Sequence, residues 1–318
     1  MRPSGPSAAT SIRRRVTTPS TRAATRRSHD PTLAALLAVC LAAAAVFVTG
    51  CSSPPPATPA SATQAMTTVL GHAPTGAAAT VAKDGALTVA VDAAYPPQSS
   101  IDPSSKELVG FNVDVADAIG ELLHARVRFV TPVWDKVPVA LQKGEAQVAV
   151  DSLPITVASR KRMAFTTPYV YQNAVVAVLS GAAPATSAAD LQGTTIGVVA
   201  QSVYQSWLQQ QGTVTVRPFT SESDAADALR AGKIGGLMSA QADVWQLIEG
   251  GAPFEIRGPF FYQPLGLATA HGQDDLLAVL NDALAKLRTD GTLARLSEKW
   301  YGGHDITRRS AGVPRYEQ

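Results

Sequence analysis

Cysteine is nearly absent: the 318 residues hold two, Cys40 and Cys51. Cys40 lies inside an apolar run that reads as a removable leader. The folded part therefore has no disulfide, no thiol redox pair and no cysteine-based metal site open to it. Histidine offers no substitute, because His124, His271 and His304 are scattered without metal-ligand spacing. No G-x-S-x-G nucleophile run occurs either, and with these absences goes the motif support for a hydrolase or a metalloenzyme. The apolar run Leu33 to Val48 has 16 residues, short of the ~20 a membrane-spanning helix needs. Surplus base is also missing. Of 27 basic and 25 acidic residues, seven arginines and one acid fall within residues 1–51, leaving 20 against 24 in the remainder. That mildly acidic remainder gives no electrostatic reason to expect nucleic-acid binding. A folded part without cross-links must rest on its core, and more than 200 residues suffice for one.

What is present begins with the leader. The apolar run follows a basic segment and fits the h-region of an export signal. It ends Val48-Thr49-Gly50-Cys51, a branched apolar residue, two small ones and a cysteine, which looks like a bacterial lipobox. On that reading residues 1–50 are a lipoprotein signal peptide. Cys51 is lipidated, and its acyl chains tether an extracytoplasmic protein to the cell membrane. An uncleaved anchor with an incidental cysteine is the other reading. Residues 51–84 are Ala, Pro, Ser and Thr with no period of 2 or 3.6, so a flexible linker is expected, with His72 solvated in it.

From Gly85 the pattern changes. Leu87–Val91 reads as a buried strand and Val113 to Leu123 as an amphipathic helix. Strand Val127–Val130, helix Val137–Leu141 and strand Gln147–Val150 follow. This β-α-β-α-β alternation predicts a mainly parallel sheet flanked by helices. A second unit from Asn173 mirrors the order without repeating the sequence: strand Thr195–Val199, helix Ser202–Gln210, strand Val214–Val216, helix Ser223–Arg230, strand Ile234–Met238 and helix Gln241–Ile248. A long helix, Asp274–Arg288, follows, and the chain closes with DGTLARLSEKWYGG.

Seven runs in order, VDAAYPP, VGFNVDVADAI, the W-x3-P-x-ALQ-x-G run from Trp134, FTTPY, DLQGTTIGV, ALRAGKIGG and LNDALAKLRTDGTLARLSEKWYG, resemble the family 3 bacterial solute-binding proteins, the polar-amino-acid receptors of ABC importers. The resemblance implies an α/β, two-lobed type II periplasmic-binding fold with two hinge crossovers. Lobe 1 would be residues 85–172 plus 267–318, lobe 2 residues 173–266, and the hinge would lie near Tyr171–Ala174 and Gln263–Gly266. It implies closure of the lobes on an amino acid or related small nitrogen-containing solute, docking on ABC permease subunits, no cofactor, no metal and no catalysis.

The resemblance also places a pocket. Asp92 aligns with a family pocket acid, Tyr95 and Trp134 with residues flanking the ligand, and Gln98 with the residue after the YPP run. Asp151 and Ser152 align with the cleft-facing end of a strand, and Gln201, Ser202 and Val203 with the start of a lobe-two helix. Trp134 is open to a core role, Asp151 to capping the next turn, and Ser202 is also a plain N-cap. The charge grips of the family depart here. The carboxylate-binding arginine, three residues after a threonine, falls on Ser159, with Arg160 one position late. A one-residue slip turns a helical side chain by about 100°, so Arg160 is open both to the cleft and to a solvated Arg160-Lys161-Arg162 run. The ammonium-binding aspartate falls on Ala240, with Asp243 a turn further on. Two acids beside two aromatic walls and no secure arginine weaken the case for a zwitterionic amino acid and favour a small polar nitrogen-containing solute, cations among the candidates. Two rival readings are a sensor or adaptor lipoprotein uncoupled from import and a cyclohexadienyl-type dehydratase using Asp151 as a general acid.

Overall fold

The computed structural model describes residues 58–183 and 185–317, all within one unit of the chain, Pro55–Gln318. The apolar run and Cys51 lie outside the described residues.

The stretch expected to be linker is helical from residue 59 onward. Helix α1 (Pro59–Leu70) starts at a capping box in which Thr58 and Ser61 satisfy each other's backbone N–H groups, and it ends at Gly71 in the left-handed conformation. Helix α2 (Gly76–Asp84) follows. Met66, Ala78, Val81 and Ala82 are buried in the main core. The linker expectation fails because alanine is the strongest helix former and needs no polar contrast to pack once a neighbour supplies the apolar face. That neighbour is the long C-terminal helix. Its first turn holds α2 through Asp275 Oδ2, which accepts from the Thr75 N–H and hydroxyl at 2.7 Å each. Gln273 Oε1 accepts from the Ala77 N–H at 2.6 Å.

Strand β1 (Ala86–Ala90) enters the sheet. The Pro/Ser region after it forms a small antiparallel sheet of β2 (Ala94–Tyr95), β3 (Ser99–Ile101) and β4 (Leu108–Val109). Helix α3 (Phe111–Leu122) buries Phe111, Val115, Ala116 and Ile119 on one face. Gly110 before it is at φ 141°, and a Cβ there would strike the Gln98 carbonyl, so only glycine fits. Strand β5 (Arg126–Val130), helix α4 (Val137–Gln142), strand β6 (Val148–Pro154), the short helix α5 (Val157–Arg160) and strand β7 (Ala164–Phe165) complete the first half. Strand β8 (Val170–Leu179) crosses out of it. Then come β9 (Thr195–Val199), α6 (Val203–Gln211), β10 (Thr215–Phe219), α7 (Glu222–Arg230), β11 (Gly236–Ala240) and α8 (Gln241–Glu249). The 16-residue strand β12 (Phe254–Thr269) crosses back to α9 (Asp274–Thr289) and α10 (Thr292–Trp300).

The strands run in the order β10-β9-β11-β8-β12-β6-β1-β5. Parallel pairs make up each end: Leu87 opposite Val127 and Val89 opposite Val148 at one, Ile196 opposite Val216 at the other. The two crossing strands pair antiparallel in the middle, with Gln172 opposite Gln263 and Tyr171 opposite Pro264. Separate apolar cores pack on the two ends of the path.

Beyond α10 the chain lies across both crossing strands. Tyr171 N–H donates to the Ile306 carbonyl, and Tyr262 N–H to the Pro314 carbonyl, each at 2.9 Å. Asn173 Nδ2 donates to Ser310 Oγ at 2.8 Å. The Tyr316 ring then packs on Phe261, 5.0 Å between centroids, in the core of the second half. Residues 304–317, grouped with the first lobe from sequence, thus touch both.

Candidate functional site

The parallel strands of both halves end facing one cavity of about 520 Å³. That is the size and position at which α/β sheets bind small molecules. Asp92, Tyr95, Gln98, Trp134, Asp151 and Ser152 line it from the first half, and Val203 and Ala240 from the second. Four candidates do not. Ser159 faces a neighbouring cavity. Arg160 is exposed on the last turn of α5, and Gln201 and Ser202 serve the start of α6.

Helix α5 explains where the arginine went. Thr156 is its N-cap and Ser159 its third residue, and the two form a capping box. Ser159 Oγ accepts from the Thr156 N–H at 2.9 Å and donates to the Pro154 carbonyl at 2.7 Å. The position three after the threonine is thereby closed on its own backbone, and Arg160, one step round the helix, is exposed and lines neither cavity. Gln201 and Ser202 are likewise spent locally. Ser202 Oγ accepts from the Gln205 N–H at 3.2 Å, and the Gln201 N–H donates to Gln205 Oε1 at 2.6 Å.

Asp151 sits in the middle of β6, with 4% of its surface exposed. Its Oδ1 accepts from the Asp92 N–H at 2.8 Å, while its Oδ2 is buried without a partner. Burial pushes this carboxyl up to about 7; the Asp92 N–H lowers it and the Asp92 charge raises it. Asp92 turns its own Oδ1 to the Ala94 N–H, 2.9 Å away, and so shapes the loop that carries Tyr95. Gln98 staples the same loop: with its amide nitrogen turned toward them, the assignment that satisfies both ends of the group, it donates to the Tyr95 and Pro96 carbonyls at 3.2 Å each.

Ser152 takes φ 48°, a conformation a non-glycine residue holds only when its surroundings enforce it. The enforcing contacts come from Tyr169, whose hydroxyl accepts from the Ser152 N–H at 3.0 Å and donates to Asn112 Oδ1 at 2.6 Å. Tyr169 in turn stacks on Phe111 at 5.9 Å. A buried network anchored on α3 thus fixes the backbone that presents Asp151.

Several lining residues were not anticipated. Tyr204 accepts from Gln172 Nε2 at 3.0 Å, and Asn173, Tyr301 and Gln263 also line the wall. Asn173 Oδ1 and the Tyr301 hydroxyl are buried without partners, as is Asp151 Oδ2. Asn173 and Gln263 lie on the crossing strands, in the two stretches expected to be hinge rather than wall, and Tyr301 follows α10. Nothing local marks them; chain-distant packing brings them in. Trp245 stacks on His304 at 3.7 Å beside the same wall. Among the described residues the one basic residue lining the cavity is Arg308, exposed and paired with Asp305 at 2.9 Å. The lining therefore carries three acids against one base.

Asp243, a turn beyond Ala240, is half-buried. With Glu222 and Tyr95 it lines a separate hollow between the two halves. Burial raises the Asp243 carboxyl and the Glu222 charge raises it further.

The family model for bacterial extracellular solute-binding proteins, family 3, matches residues 87–303. An L-cystine-binding protein of Escherichia coli (strain K12) is 31% identical over 233 residues, 72% of this chain and 86% of its own length. ABC transporter arginine-binding protein 1 of the same strain is 30% identical over 222 residues, 68% of this chain and 90% of its own. Among solved structures, the L-cystine solute receptor of Neisseria gonorrhoeae in its unliganded open conformation superposes with a TM-score of 0.64 at 23% identity, covering 71% of this chain and 96% of the receptor. At that identity the likeness speaks for the fold.

Proposed function

Because the chain belongs to the family 3 bacterial extracellular solute-binding proteins, with their two-lobed type II fold, we propose that it captures an amino acid or related small nitrogen-containing solute by closing its lobes and presents that solute to an ABC permease. The observation that carries this reading is Asp151, a buried carboxylate whose second oxygen has no partner in the wall of the central cavity. A buried carboxylate without a counter-charge is costly, and an ammonium or guanidinium seated on it removes that cost. The unpartnered oxygens of Asn173 and Tyr301 add further hydrogen-bonding groups for an N–H-rich ligand, and Trp134 and Tyr95 supply aromatic faces for a cation. With Arg160 outside the cavity lining and Arg308 paired with Asp305, the cavity offers an ammonium or guanidinium more charge complement than it offers a carboxylate.

Lobe motion follows from the two crossing strands, since a ligand touching both halves favours the closed form. The leader supports a further part of the proposal: export, with anchoring through acylated Cys51. Mass spectrometry of the N-terminal peptide from cells checks that part, a diacylglyceryl-cysteine being the expected product.

The main test is a thermal-shift screen. Arginine, lysine, cystine and simple amines are expected to stabilise the protein, and Asp151→Asn to abolish the shift while keeping the acceptor for the Asp92 N–H. Stabilisation by neutral sugars or dicarboxylates alone would overturn the reading.

A further inference from the structure

Behind Trp134 lies a second cavity of about 400 Å³, which shares Trp134, Pro154, Val203 and Gln263 with the central one. These four come from both halves and from a crossing strand, so the two spaces adjoin along a common wall that the lobes form together. The chemistry of the second space differs from that of the first. Trp134, Pro138, Leu153, Pro154, Met163 and Val203 give it apolar walls. Its two hydroxyls are consumed: Thr156 Oγ1 accepts from the Ser159 N–H at 3.0 Å, and Ser159 Oγ is bound to the Thr156 N–H and the Pro154 carbonyl. The charges, Asp135 and Arg162, are exposed at its rim, Asp135 with Lys136 at 3.3 Å. Trp134 keeps 55% of its surface exposed, an apolar area that a bound group would cover. At the boundary stands Gln263, 6% exposed, whose side-chain amide makes no hydrogen bond to protein among the described residues.

We propose that the second cavity is a tail subsite and that the physiological ligand is an elongated amphiphilic amine. Its cationic head sits on Asp151, Gln263 holds a polar atom at the waist, and an unbranched or aromatic apolar extension passes Trp134 into the annex. This rests on the assignment of the head to Asp151 and goes beyond it by fixing the shape and polarity of the rest of the molecule. A compact zwitterion such as glycine or serine would leave the annex unfilled.

The test uses the n-alkylamine series from ethylamine to octylamine, titrated by calorimetry into the full chain carrying Cys51→Ala, which removes the acylation point. Affinity is expected to rise about fourfold per methylene until the annex is full. Ala158→Phe, at an exposed annex-lining position of α5, is expected to flatten that rise while changing ethylamine affinity by less than twofold. Asp151→Asn is expected to weaken every member about equally. Affinities independent of chain length, or a rise unchanged by Ala158→Phe, overturn the tail subsite and leave the head assignment standing. A series indifferent to Asp151→Asn overturns the head assignment, and with it the proposal as stated.

Discussion

Asp151 concentrates the chemistry of the cavity in one titratable group. Its folded-state carboxyl is raised to about 7 from an ordinary value near about 3.9, so between those values the folded protein binds more protons than the unfolded chain. Its contribution therefore lowers stability as pH rises from about 4 to 7, by at most about 1.4 kcal/mol per pH unit. The ligand-free melting temperature is expected to fall across that window less steeply in Asp151→Asn than in the wild type. A cationic ligand needs the carboxylate, so its affinity should climb up to about tenfold per unit as pH approaches 7 and level off above. A calorimetric series in buffers of different ionisation enthalpy would show the accompanying proton release, and its absence would count against Asp151 as the head site. Ser152 makes a structural claim at the same scale. Tyr169→Phe strips the buried partner from Asn112 Oδ1 and the Ser152 N–H. It should cost about 1–3 kcal/mol in denaturant melts and weaken ligand binding through the displaced β6 backbone at Asp151 and Ser152. The family resemblance grouped Asp92, Tyr95, Trp134 and Asp151 because each falls in or beside a short run that the family shares, and all four line one cavity. Asn173, Gln263 and Tyr301 carry no such pattern.

At the scale of elements, α1 and α2 are the main surprise. Residues 59–84 have little contrast between faces, and in isolation such a sequence has no reason to choose helix over a solvated coil. What decides is α9, whose Leu276, Leu280 and Leu284 share a core with Met66, Ala78 and Val81. Met66, fully buried, is thus a core residue, and Met66→Ala should destabilise the protein by about 2–5 kcal/mol; a loss under about 0.5 kcal/mol in chemical denaturation would mean that α1 does not pack there in solution. The amphipathic helices α3 and α9 and the alternating parallel strands were legible, since their apolar periodicity survives in any context. Helix α5 was half-legible. The Thr-x-x-Ser spacing is an N-terminal signal, yet only the completed capping box shows that Ser159 is consumed.

For the whole molecule the deciding part is the tail after α10, beyond the residues the family model covers. It bonds to Tyr171 and Tyr262 on the two crossing strands and reaches Phe261 with Tyr316, while Arg315 donates to the Ile155 carbonyl at 3.3 Å. A strap joined to both halves across their connection should narrow the range of lobe angles. Ending the chain after His304 is expected to lower the melting temperature and to widen the distance distribution between spin labels on the two lobes. An unchanged distribution would show that the strap leaves hinge motion free.

The sequence by itself determined the family, the α/β alternation, the two-lobed plan and the acids and aromatics that line the cavity. Each of these is written in local periodicity or in short ordered motifs. Only the tertiary structure decided that the alanine-rich stretch packs as helix, that the arginine beside Thr156 stays out of the cavity, and that the C-terminal residues brace the crossing strands. All three turn on which distant surface a segment meets, and burial against a distant partner leaves no trace in the segment's own pattern.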